Sequence, residues 1–147
     1  MPTRKLISTL ALLVVATVGA AQTKTNAKSL YHRLGGYDAI ASIVSDLERR
    51  FAEDPELKHF IAGTSANSGK RQGQLLAELL CERTGGPCAY IGRDLKTAHT
   101  GLTITEAHWT ATLGHFGAAI DAAKVSEKDK AELMELVVKL KPDVMVK

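Results

Sequence analysis

Aromatic residues make up only 5% of this 147-residue chain, with a single tryptophan, so a core must be assembled mainly from Leu, Ile, Val and Ala. Apart from the β-branched members, those residue types suit helices. After residue 21 no stretch alternates apolar and polar residues long enough to read as a strand, which points to an all-α domain. Internal repeats, low-complexity tracts and long blocks of one charge are also lacking there. Several chemistries lose their local signatures in the same way. No H-x-x-x-H or H-E-x-x-H pair occurs to build a zinc site on one helix. There is no G-x-S-x-G elbow for a nucleophilic serine, and no glycines follow a strand in a phosphate-binding order.

What is present begins with a leader. Arg4 and Lys5 precede an apolar run from Leu6 to Val18, and Gly19, Ala20 and Ala21 supply small residues for cleavage. That order is the pattern of a secretory signal peptide over residues 1–21, followed by a polar arm over 22–28 and a single domain over 29–147. The run is shorter than the roughly 20 apolar residues of a spanning helix, so a membrane role is confined to an uncleaved leader. Export to the periplasm or the medium is the expectation. Cleavage after Ala20 would leave 147 − 20 = 127 residues and remove two basic charges, taking the formal net charge from +3 to +1. So small an excess of positive charge points away from a nucleic-acid partner.

Helical signals then follow in order. Ser29 caps a short helix that ends at Gly35-Gly36, and Asp38 opens a longer one with Ile40, Ile43, Val44, Leu47 and Phe51 on one stripe. After Pro55 a short helix runs through Leu57 and Phe60 to Gly63, and Thr64 to Gly69 reads as a loop. The next helix carries Leu75, Leu76, Leu79 and Leu80 and stops at the breaker cluster Gly85-Gly86-Pro87. The stretch GRDLKTAHTGL (92–102) reads as a short helix presenting His99. Thr103 and Glu106 have capping-box spacing, with Thr105 an alternative cap, for a helix toward Lys124. Ser126 and Asp129 open the last helix, whose Ala131, Leu133, Leu136, Val137 and Leu140 face inward before Pro142.

Two cysteines, Cys81 and Cys88, flank ERTGGP. In an exported protein such thiols tend to pair; two reduced cysteines or a metal site are the alternatives. Five histidines are present, and spacing alone leaves His99 open between a surface or core residue and a ligand. His108 and His115 share a helix face beside Trp109 and Phe116 and read as a solvated rim.

LYHRLGG (30–36), DPELKHFIAGT (54–64), TGGPCAYIGRDLKTAHTGLTIT (84–105) and the terminal LKPDVM together resemble successive blocks of the group I truncated haemoglobins. The third block is the most specific, with a Gly-Gly turn, Tyr90-x-Gly-Arg, Lys96-x-x-His99 and Gly101 in order. The resemblance implies a two-over-two helical sandwich around one haem b per chain, with His99 as the proximal iron ligand. With no C-x-x-C-H run, that haem would be held without thioether bonds. By the same matching Leu95, Ile104, Trp109, Phe60 and Ile61 would pack on the porphyrin, with core packing alone as the alternative. Lys96 would reach a propionate or stand solvated.

On the distal side the resemblance sets Gln72, Leu76 and Leu80 toward the ligand, with Gln72 the only hydrogen-bond donor of the three and a solvent-facing glutamine as the alternative. Where many relatives carry a distal tyrosine this chain has Glu48, which either turns outward or has a raised pKa. The loop SANSGKR is also longer than in many relatives. The function implied is an exported haem protein that binds O2, NO or CO. The alternatives are a globin enzyme acting on NO or peroxide, and a haem-free sensor or interaction domain; a redox partner is not specified by the sequence.

Overall fold

A computed structural model describes residues 28–146. The leader and all of the arm but Lys28 lie outside the described residues. Among those described, the chain is helical with no strand: α1 (Leu30–Leu34), α2 (Tyr37–Glu53), a 3-10 turn (Lys58–Phe60), α3 (Ala66–Arg83), α4 (Leu95–His99), α5 (Glu106–Ala122), α6 (Glu127–Val138) and α7 (Lys141–Val144).

The chain reverses between α1 and α2 through Gly35 and Gly36, both at positive φ, a conformation open to glycine at little cost. The α2 stripe is then buried: Ile40, Ile43, Val44 and Leu47 are 1–4% exposed. Asp54 ends the helix and folds the next turn, its carboxylate accepting the N–H groups of Glu56 and Leu57 at 2.7 and 3.2 Å. Leu57 is driven into the core as a result.

Four expectations need correcting. The stretch 64–69 is not all loop: Ser65 caps α3 by accepting the Ser68 N–H at 3.2 Å, so the helix starts at Ala66. Of the two caps read for α5, Thr105 is used, while Thr103 sits at φ +52 outside the helix. Pro142 does not end the helical structure, because it falls in the first turn of α7, where a missing N–H costs nothing. In α6, Leu133 and Val137 are buried as read, but Ala131 is exposed.

Cys81 and Cys88 are joined by a disulfide across the Gly85-Gly86 turn. Gly86 is fixed by crowding, since a β-carbon there would come within 2.5 Å of the Tyr31 ring and 2.6 Å of the Cys81 Sγ. In the assembled domain α2 packs on both α3 and α5, α5 packs on α6, and α1 closes against α6. Arg33 of α1 donates to Asp129 of α6 at 2.6 Å and fastens that closure.

Candidate functional site

The segment before α4 is built around one tyrosine. Tyr90 donates its N–H to Glu82 of α3 at 2.7 Å and its hydroxyl to the Arg93 carbonyl at 2.6 Å. Its ring lies so close over Gly92 that any β-carbon there would be within 2.3 Å of the hydroxyl oxygen. The Tyr-x-Gly-Arg order is therefore a steric unit that delivers the chain to Asp94. Asp94 caps α4 by accepting the Thr97 N–H at 2.9 Å, and the Thr97 hydrogen bonds hold its carboxyl below the usual range.

One turn later His99 Nδ1 lies 2.7 Å from the Leu95 carbonyl. A carbonyl only accepts, so Nδ1 carries the proton and the neutral ring leaves its lone pair on Nε2. The short helix thereby fixes both the tautomer and the direction of the imidazole.

His99 lines a cavity of about 350 Å³, within the usual range for small-molecule and cofactor sites. From α4, the loop after it and α5, Leu95, Ile104 and Trp109 join His99 on its wall, as expected. Phe60 and Ile61 from the turn after α2, and Leu76 from α3, line it too, while Gln72 reaches it only at its open edge, with its side chain exposed. Leu80 does not, and its assignment is corrected: it is 2% exposed within the core. Four helical residues advance about 400°, so two such steps from Gln72 rotate Leu80 by roughly 80°, whereas Leu79 falls within about 20° of Gln72. Leu79 and Leu75 accordingly line the cavity.

Lys96 lies outside this wall, with its ammonium 3.8 Å from Asp143 of α7. It lines an adjoining recess of about 480 Å³ that shares Leu79, Tyr90 and Leu95 with the main cavity and also holds Arg83. The sequence reading missed that second cation, which follows the α3 leucines by one turn. It also missed Val144, brought to the cavity by α7.

The solvated-rim reading of His108 and His115 is corrected as well. His108 lines the cavity, its ring edge-on to Phe60 at 5.0 Å, because it occupies the third position of α5 and its Nδ1 accepts the Thr105 N–H at 3.2 Å. His115 is bonded through Nε2 to Asp54 at 2.6 Å and packs against Phe51.

Glu48 faces inward. It lines the main cavity and a second one of about 270 Å³, bounded by Thr64, Ser65, Ala66 and Gly69, with Gln72 also common to both. Its carboxylate rests over Gly73, where a β-carbon would come within 2.5 and 2.8 Å of the two oxygens. Burial alone pushes this carboxyl up.

A mainly apolar cavity holds the His99 imidazole in a fixed orientation, with His108 on a second part of the wall. Residues 29–146 match the family described as bacterial-like globin. Group 1 truncated hemoglobin GlbN of Mycolicibacterium paratuberculosis is 32% identical over 122 residues, which is 82% of this chain and 87% of that one. The chain is a group I truncated globin. A second GlbN, from Nostoc sp., is 32% identical over 119 residues, 81% of this truncated globin and 98% of the relative. Among solved structures, truncated hemoglobin from Tetrahymena pyriformis in the Fe(III) form has a TM-score of 0.75 at 23% identity, covering 82% of this chain and all of that one. The 2/2 hemoglobin from Synechococcus gives 0.73 at 24% identity, over 80% of this chain and 98% of the other. The fold is thus the two-over-two sandwich of the truncated globins, with α2 and α3 as one pair and α5 and α6 as the other.

Haem is this family's cofactor, and the residues of this truncated globin fit it. A protonated Nδ1 leaves one nitrogen for iron, the walls are mainly apolar, and the adjoining recess holds the cations Arg83 and Lys96 beside the carboxylates of Asp94 and Asp143.

The raised Glu48 pKa has a signed consequence. A carboxyl favoured in its neutral form by folding imposes no penalty below its unfolded pKa; the penalty grows as pH rises from that value to the raised folded one and is complete above it. Glu48→Gln should therefore raise the urea midpoint at pH 7 and leave it nearly unchanged at pH 3. Equal effects at both pH values would place the carboxylate in water.

Proposed function

We propose that His99 ligates the iron of a non-covalently held haem b, and that the protein binds O2, NO or CO on the opposite face. The observation that carries this is the Nδ1 hydrogen bond to Leu95, which leaves Nε2 as the histidine's one lone pair beside an apolar cavity. Haem iron held by one histidine supplies an open coordination position, whose reactivity is set by the donors and polarity around it. Leu95, Ile104, Trp109, Phe60, Ile61 and Leu76 provide apolar contact with the porphyrin, and Arg83 and Lys96 provide positive charge for its propionates. Protein supplied with hemin should show a Soret band that weakens or shifts strongly in His99→Ala; an unaltered band would remove His99 as the ligand.

Of the side chains that α2 and α3 bring to the cavity, Gln72 is the one that carries a donor for a bound gas whether or not Glu48 is ionised. Glu48, standing where relatives have tyrosine, accepts when ionised, so O2 leaves faster here than from tyrosine-bearing relatives. Gln72→Leu should accelerate O2 dissociation by about tenfold, the worth of one hydrogen bond. An unchanged rate in stopped flow would show that Gln72 does not touch the ligand.

The leader composition supports export, with function in the periplasm or the medium. The protein recovered from that fraction should begin at Ala21; an intact Met1 terminus would contradict export by cleavage.

A further inference from the structure

We propose that Glu48 acts as the base for small uncharged weak acids HX, such as hydrogen cyanide or hydrogen sulfide. It takes the proton as HX enters, leaving X− as the species a ferric haem iron ligates. This rests on the His99 haem reading and assigns the residue of this chain that accepts the proton of a weak-acid ligand at that site.

Three observations carry it. First, Glu48 is the one acid on the walls of the two cavities it faces. The other titratable groups on those walls are His99, His108 and Tyr90. Each of those has a polar atom engaged elsewhere: His99 Nδ1 with Leu95, His108 Nδ1 with the Thr105 N–H, and the Tyr90 hydroxyl with Arg93. His115, on the neighbouring turn of α5, is held by Asp54.

Second, the Glu48 carboxylate has no hydrogen bond or ion pair among the described residues, so its lone pairs are free. Third, the backbone is opened for it. Both oxygens occupy space that any side chain at residue 73 would contest, which holds the carboxylate between α2 and α3 at the junction of the two cavities.

The chemistry follows from what such a group can do. An ionised carboxylate is an acceptor only, with nothing to donate to CO or O2. A bare anion would have to shed its water to cross the apolar walls, at high cost, whereas neutral HX crosses cheaply. The H–X bond breaks, its electron pair stays with X−, and the proton forms an O–H bond on Glu48. Glu48-COO− and HX become Glu48-COOH and X−. Charge is conserved, no electron is transferred and no co-reactant is required. The new O–H then serves as a donor toward the anion, the role the ionised side chain could not fill.

The test uses the haem-loaded ferric protein and potassium cyanide at neutral pH, where the reagent is present as hydrogen cyanide. Carbon monoxide on the ferrous protein serves as the proton-free comparison. In Glu48→Gln, cyanide association should fall about 100-fold relative to carbon monoxide, the usual worth of a positioned base. Gly73→Ala, which keeps the carboxylate but displaces it, should slow cyanide in the same sense. The infrared difference spectrum on adding cyanide should gain a protonated carboxyl C=O band that Glu48→Gln lacks. Cyanide and carbon monoxide changing in parallel, or no carboxyl band, would overturn the proposal. A Soret band unaltered in His99→Ala would instead overturn the ligation reading, while the Glu48→Gln comparison would still decide this one.

Discussion

The packing of one apolar stripe on α2 underlies the rest of the molecule. Ile40, Ile43, Val44 and Leu47 are almost completely removed from water, and the helix that carries them contacts both α3 and α5. The two helical pairs of the sandwich are thereby held apart and in register by a single element. The cavity lies alongside this contact, and Glu48 reaches its edge because it lies one turn from both Val44 and Phe51, on their side of the helix. Ser45, by contrast, follows Val44 directly and faces solvent. The inward position of the carboxylate is thus a by-product of the packing that builds the domain.

The polar groups around the cavity fall into two kinds. On the α4 and α5 side they are satisfied by the backbone: His99 by Leu95, His108 by Thr105 and Tyr90 by Arg93. These bonds are local, three or four residues apart, and form as the chain turns. The groups contributed by α2 and α3 are different. Glu48 and Gln72 reach the cavity from separate helices, and neither is held by a neighbour, so their hydrogen-bonding capacity is left for whatever enters. One side of the site is prepared to hold a cofactor and the other to respond to a ligand.

This division also explains what could be read from the sequence. His99, its Asp94 cap and the Tyr90-Gly92 unit are encoded within a dozen residues, so their order on the chain already implies their geometry. The α2 stripe and the Ser126 cap were legible for the same reason. Leu80 was misassigned because four-residue spacing drifts around a helix, and the drift only becomes visible when Leu79 is seen on the wall in its place. His108 was misjudged because its partner Phe60 is distant in sequence. Arg83 and Val144 reach the site through the packing of α3 and α7, which no local pattern announces. The start of α3 was hidden by the polar composition of residues 64 to 69, which suits a capped first turn as well as a loop.

The disulfide bears on the placement of the site histidine through chain entropy. Without it, the segment leading to α4 would be joined to the end of α3 by the chain itself and by hydrogen bonds such as Tyr90 to Glu82. The Cys81–Cys88 bond fixes Cys88 to the body of that helix, so the free tether to His99 is a single short span. The entropy lost in closing a loop grows with the logarithm of its length, and a short, covalently rooted tether has little to lose. Tyr90 then pins the tether near its start, through Glu82, and folds it back on Arg93, shortening it again. The imidazole is positioned chiefly by having very few other places to go.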